Sequence, residues 1–196
     1  MICWDISLTG NIVAVGFESG LVRIFKSKIP TKPKAKETTN RGAFEKSNST
    51  GKKVDDEQVK DKTESLYGHR GPVYCLSISH DEKFVISGSL DSNVRLWCLI
   101  DGIWLVVYKA HSAPVWDLKF FTYSNFFARC SADSLAKMWT ISKFEPVRIF
   151  AHHEVDIIKV EFVPKYKSLV TASIDFTMVI WNIIKGQKMI VIETIL

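Results

Sequence analysis

Cysteine is scarce, and the four that occur (Cys3, Cys75, Cys98 and Cys130) stand far apart with no C-x-x-C pair. That spacing argues against a zinc framework and against a disulfide-stapled fold. Three of the four fall in apolar runs, where buried reduced thiols are expected and a reducing compartment follows. No apolar run reaches 18 residues, so no segment reads as a membrane-spanning helix. The opening stretch MICWDISLTG lacks the basic head and long apolar core of a signal peptide. Helical periodicity is missing throughout. A broad basic face is missing as well, although the formal net charge is +5. Residues 26–66 carry 11 Lys/Arg against 7 Asp/Glu, and the rest carries 15 against 14. The globular part is therefore nearly neutral, whereas a nucleic-acid-binding domain needs clustered positive charge.

What the chain does have is a repeat. HRGPVYCLSI begins at His69 and HSAPVWDLKF at His111, 42 residues on, with a third histidine, His153, after another 42. The segments GSLDSNVRLW, CSADSLAKMW and ASIDFTMVIW end at Trp97, Trp139 and Trp181, again 42 apart. Their aspartates, Asp91, Asp133 and Asp175, keep the same step. Each copy opens on an alternating run (Val73 to Ile78, Val115 to Phe120, Ile157 to Phe162), which predicts a strand. Units of four short strands follow: in the first full copy, second and third strands at 84–89 and 93–98, a tight turn at Asp91-Ser92, and a fourth strand at 104–108.

His69, Ser87 and Asp91 are the residue types of a nucleophile–base–orienter set. Recurrence argues against that reading, because His111 recurs with Asp133, and His153 with Thr171 and Asp175. An enzyme needs one site, whereas an architecture needs the same bond in every unit. No catalytic residue, no cofactor and no metal site is expected.

A period near 42 with four strands and a tryptophan closing the third is the pattern of a β-propeller blade. The chain resembles WD40-repeat proteins. The residue after each Trp is Cys98, Thr140 or Asn182 rather than Asp, and only Gly68-His69 keeps the usual Gly-His pair. By resemblance, His69, Ser87, Asp91 and Trp97 form a structural hydrogen-bonded tetrad, as do His153, Thr171, Asp175 and Trp181. His111, Asp133 and Trp139 belong to the corresponding set. There Arg129 stands at the Ser/Thr position, and because it cannot accept a hydrogen bond the resemblance implies a broken or rearranged network.

A weaker copy opens the chain. MICWDISLTGNIVAVGFESGLVRIF supplies three strands, with Phe25 where Trp would stand and Ser19 at the turn-aspartate position. About thirty extra residues then separate its third strand from a fourth at 63–67. The fold class expected is all-β, a WD40 β-propeller with four blade equivalents in an open arc rather than a closed ring. Blade one takes 1–25 and 63–67, with a disordered charged insertion at 26–62. Blades two, three and four take 69–110, 111–152 and 153–196.

The stretches LYGHRGPVYCLSIS, VVYKAHSAPVWDLKF and EPVRIFAHHEVDIIKVEFVP resemble one subfamily, that of the WD40-bearing subunit 5 of general transcription factor TFIID. So do the first-blade strands and the charged insertion before LYGH. The resemblance lacks that family's N-terminal helical regions and about three terminal blades. It implies a nuclear, non-catalytic scaffold for histone-fold TBP-associated subunits of a TFIID- or SAGA-like complex. No small-molecule substrate, membrane or direct DNA contact is implied. The alternatives are a generic WD40 adaptor, such as a substrate receptor, or a non-functional fragment of a longer propeller. Residues 26–53 net +7 and residues 54–66 net −3, so Lys26, Lys28, Lys32, Lys34 and Lys36 read as a nuclear localisation signal or as part of a solvated loop.

Overall fold

In the computed structural model, residues 1–27, 62–109, 113–122 and 124–193 are described. Sixteen strands form four antiparallel sheets of four, each a simple up-and-down meander. Sheet one holds β1 (Cys3–Ile6), β2 (Ile12–Gly16), β3 (Val22–Lys26) and β4 (Lys62–Leu66). Sheet two holds β5 (Val73–Ile78), β6 (Phe84–Ser89), β7 (Asn93–Cys98) and β8 (Ile103–Lys109). Sheet three holds β9 (Val115–Phe120), β10 (Phe126–Ser131), β11 (Leu135–Thr140) and β12 (Arg148–Ala151). Sheet four holds β13 (Ile157–Val163), β14 (Ser168–Ser173), β15 (Thr177–Asn182) and β16 (Gln187–Glu193). One 3₁₀ turn, Pro164–Tyr166, starts on a proline and links β13 to β14. The first sheet's outer strand begins at Lys62, inside the stretch expected to belong to the insertion, and pairs with β3 from Val22↔Leu66 to Lys26↔Lys62.

The second-to-third strand turns explain the 42-residue aspartates. Ser92, Ser134 and Phe176 all adopt left-handed φ values of 66°, 59° and 62°. Each follows the turn aspartate, and the αL residue closes a three-residue hairpin loop. The aspartate stabilises the loop itself: Asn93 N–H, Leu135 N–H and Thr177 N–H donate to Oδ1 of Asp91, Asp133 and Asp175. In sheet one, glycine takes the αL place, at Gly20 (φ 82°).

Neighbouring sheets pack face to face, one on two, two on three and three on four, with no packing of comparable extent between four and one among the described residues. This is an open arc of propeller blades. Between sheets one and two lie Ala14, Val22, Ile24, Val73, Val85 and Trp97. Between two and three lie Ile86, Val94, Tyr108, Leu118, Phe127 and Trp139. Between three and four lie Ala128, Phe150, Val160, Leu169 and Trp181. Gly88 lets the innermost strands approach, since a Cβ there would lie 2.6 Å from Cys75 Sγ and 2.8 Å from Val115. The outward faces of the two end sheets are apolar and uncovered: Trp4 is 62 % exposed on the first, and Ile190 is 51 % exposed on the fourth. Of the four cysteines, all free, Cys75, Cys98 and Cys130 are buried and Cys3 is half-buried.

Candidate functional site: the polar quartets and the seams between blades

In blade two the four expected residues meet. Trp97 Nε1–H donates to Ser87 Oγ at 2.8 Å. Ser87 Oγ lies 2.7 Å from His69 Nε2, and His69 Nδ1 lies 3.0 Å from Asp91 Oδ2. Arg70 N–H also donates to Asp91 Oδ2, at 3.0 Å. Directionality follows from the donor inventory. An indole can only donate and a carboxylate can only accept, so Ser87 Oγ accepts from Trp97 and His69 Nδ1–H donates to Asp91. One chain of donors and acceptors then runs from indole to carboxylate. Burial opposes ionisation of Asp91, but the His69 and Arg70 hydrogen bonds, the charge of His69 and the Asn93 N–H outweigh it. Its carboxyl is held well below the usual carboxylate range.

Blade four repeats the arrangement. Trp181 Nε1–H donates to Thr171 Oγ1 at 3.0 Å, Thr171 Oγ1 lies 2.8 Å from His153 Nε2, and His153 Nδ1 lies 2.9 Å from Asp175 Oδ2. Thr177 adds a hydroxyl, 2.6 Å from Asp175 Oδ1. Burial again works against the charge, and Thr177 and His153 overcome it, leaving the Asp175 carboxyl at about 2.

Blade three departs. Arg129 is fully buried, and its Nε and Nη2 have no hydrogen-bond partner among the described residues. Its Nη1 donates to the Tyr108 carbonyl at 3.3 Å, and the guanidinium lies over the Trp139 ring at 3.9 Å from the centroid. Burial pulls the guanidinium down to about 9, and the charges of Asp133, Cys75 and Tyr108 counter only part of that. Asp133 still closes its turn through Leu135 and lies 3.7 Å from Lys137 Nζ. His111 lies outside the described residues. In blade one Phe25 and Ser19 hold the Trp and Asp positions, and no quartet is present.

The geometry decides what Ser87 and Thr171 can do. Both hydroxyls are wholly buried, and each has a lone pair occupied by an indole N–H. A nucleophile needs an open approach for the reacting carbon and a base that can take its proton as the bond forms. Here the approach is filled by tryptophan.

Of the five lysines read as a localisation signal, Lys26 lies in β3. Its Nζ sits 3.0 Å from both Glu64 oxygens and also reaches the Leu99 carbonyl. Lys28, Lys32, Lys34 and Lys36 lie outside the described residues. The seam bonds were missed in the sequence. Ile78 N–H donates to Asp5 Oδ2 at 2.8 Å, Phe120 N–H to Ser77 Oγ at 3.1 Å, and Val160 N–H to Asp117 Oδ2 at 3.0 Å. Each polar side chain on an innermost strand satisfies an edge N–H of the next blade. The visible signal was only polar alternation, which reads equally well as a solvated face.

The WD40 family, described as "WD domain, G-beta repeat", matches residues 60–98, 102–140 and 144–182. Each matched unit starts at the outer strand of one sheet and ends with the third strand of the next, so the sequence repeat straddles two blades. Among curated proteins, the chain is 29 % identical over 121 residues to "Transcription initiation factor TFIID subunit 5" of Caenorhabditis elegans, covering 62 % of this chain and 18 % of that one. It is 34 % identical over 114 residues to the protein of that name in Encephalitozoon cuniculi, covering 57 % and 20 %. It is 32 % identical over 108 residues to "SAGA complex/transcription factor TFIID complex subunit Taf5" of Schizosaccharomyces pombe, covering 55 % and 14 %. The chain thus matches a fifth or less of the length of these relatives. In a solved structure, "Crystal Structure of Mitotic Checkpoint Complex", one chain superposes with a TM-score of 0.73 at 18 % identity, over 97 % of this chain and 50 % of that one. That likeness shows the fold alone.

Proposed function

Since the chain belongs to the WD domain, G-beta repeat family, we propose that it serves as a non-catalytic scaffold in a TFIID- or SAGA-like transcription complex, where it holds histone-fold TBP-associated subunits. The observation that carries the non-catalytic part is the burial of Ser87 and Thr171 behind tryptophan, with both hydroxyls engaged. The quartets act as structural ties. Each hydrogen bond contributes about 0.5–1.5 kcal/mol net, and an unmet buried partner costs more. The transcription part rests on the similarity of the repeats to TFIID subunit 5 proteins of several organisms. Direct DNA contact has no place in this reading, because the residues outside 26–66 are nearly neutral.

The test is affinity purification of the tagged chain from nuclear extract. Co-purification of histone-fold TBP-associated subunits is the expected result. Recovery of a ubiquitin ligase or another unrelated complex in their place would overturn the proposal in favour of a generic adaptor. Nuclear import through residues 26–36 is part of the same reading. Replacing Lys32, Lys34 and Lys36 by Ala is expected to abolish nuclear accumulation of the tagged chain, and unchanged accumulation would refute that role.

A further inference from the structure

What repeats from blade to blade is architecture, and a binding site belongs to what does not repeat. One departure is a cleft of about 320 Å³ on blade two, lined by Arg70, Asn93, Arg95, Trp104, Val107 and Lys109 together with Asp91. Arg95 reaches it because the chain leading out of sheet one has no side chain at Gly68. A Cβ there would meet the Arg95 guanidinium at 3.1 Å. Arg95 lies 5.9 Å from the Trp104 ring centroid, and its buried Nε has no hydrogen-bond partner among the described residues.

The charge in this cleft is not compensated from within. Among the described residues Asp91 is the one carboxylate lining it, and both of its oxygens are engaged by His69, Arg70 N–H and Asn93 N–H. None of the Arg70, Arg95 and Lys109 side chains forms an ion pair among the described residues. The positions one and two repeats later carry no such set. Lys109 becomes Ala151 and Glu193, Arg95 becomes Lys137 and Val179, and Trp104 becomes Pro146 and Lys188. Arg70 becomes Glu154 in blade four, so the charge there is inverted.

We infer that this cleft binds an acidic segment of a partner protein, with an anionic side chain between Arg70, Arg95 and Lys109 and an adjoining apolar group on Trp104. Three cations around a cleft of this size suit one or two anionic side chains, by carboxylate or phosphate geometry. Trp104 is 54 % exposed and gives a rigid apolar anchor of the kind that dominates interface energetics. A nucleic-acid backbone needs charge spread along a groove, and the near-neutral remainder of the chain does not supply it. The inference is independent of which complex the chain enters.

The test is fluorescence anisotropy on the full chain with a labelled Glu-rich peptide, its Gln counterpart, a phosphoserine-bearing version and a single-stranded oligonucleotide. The expected result is binding of an anionic peptide and not of the Gln peptide, weakening with salt. The two anionic peptides distinguish carboxylate from phosphate as the preferred group. The double reversal Arg70→Glu with Lys109→Glu is expected to raise Kd about tenfold or more. Both residues are exposed, so the fold survives, and an unchanged unfolding midpoint checks it. Reversal at exposed Lys143 and Lys185 changes net charge equally and should leave binding intact. Equal losses for the two double variants, tighter binding of the oligonucleotide, or no binding of either anionic peptide would overturn the inference.

Discussion

Blades two and three share one backbone plan 42 residues out of register, and they solve the space beside their third-strand tryptophan in opposite ways. Blade two places Ser87, a small acceptor, under Trp97 and joins it to His69 and Asp91. Blade three places Arg129 there and lays its guanidinium over the Trp139 ring. The sheet is undisturbed: β10 pairs with β11 from Phe126↔Thr140 to Cys130↔Ala136, as β6 pairs with β7 from Phe84↔Cys98 to Gly88↔Val94. The fold therefore does not depend on the quartet. It depends on the apolar layer between blades and, in blades two to four, on the turn aspartate, which in blade three closes the hairpin through Oδ1. An arginine in this position stays charged at neutral pH in a site that solvates it poorly, and the stacked indole offsets part of that cost.

The largest effects should come from the layer both blades share. Trp97 and Trp139 are 1 % and 0 % exposed. Trp97→Ala and Trp139→Ala should each cost about 3–5 kcal/mol, read from chemical denaturation. Similar losses would place most of the stability in indole burial. A Trp97 loss much larger than that of Trp139 would break the comparison, because the polar quartet would then outweigh the layer.

Next comes the arginine itself. Arg129→Met keeps length and apolar volume while removing the buried charge, and it should stabilise the chain by about 1–4 kcal/mol. The pH dependence gives a second readout. The folded-state guanidinium sits at about 9, below the ordinary 12.5, so above about pH 9 the unfolded chain binds more protons than the folded one. Wild type should therefore gain on Arg129→Met as pH rises through 9. A variant less stable than wild type at neutral pH would show that stacking on Trp139 more than offsets desolvation.

Much of this was legible in the sequence, and the reasons divide cleanly. Spacing survives translation into structure. The strands expected at 84–89 and 93–98 are β6 and β7, and the αL turns fall one residue after each periodic aspartate. The meeting of His69, Ser87, Asp91 and Trp97 was implied by the resemblance to WD40 repeats, and the 42-residue period located the histidine, aspartate and tryptophan of each copy. Relations between blades carry no such period. Asp5 and Asp117 look like surface residues on alternating strands until a neighbour's N–H is seen beside them. Lys26 looks like the first of a basic run until Glu64 arrives across a chain excursion of 38 residues. The cleft at Arg95 depends on Gly68 in the segment joining sheets one and two, a contact that only packing creates.

Ser87→Ala follows in size. It strands the Trp97 N–H and removes the partner of His69 Nε2, at about 1–3 kcal/mol. Thr171→Val should cost a similar amount in blade four, where the same two partners are stranded. A thermal melt of each would show whether one bond has equal worth in both blades. Near-zero cost at Ser87 would mean that blade two stands on apolar packing and not on its quartet.

The smallest effect is the most specific, because it reports one carboxylate. Asp175 is held at about 2 in the folded chain against an ordinary 3.8. Its folded-state pKa is lowered, so its contribution is complete above the unfolded value and lost as pH falls through the folded one. Stability should therefore drop between about pH 4 and pH 2, and Asp175→Asn should flatten that part of the profile while lowering stability at pH 7. Asp91 is held lower still, so the decline that belongs to blade two should continue after that of blade four has ended. Denaturation midpoints for wild type, Asp175→Asn and Asp91→Asn across this range separate the two blades. Identical acid profiles for the two variants would mean that the carboxylates titrate as part of global unfolding, and the quartets would then lose their standing as independent ties.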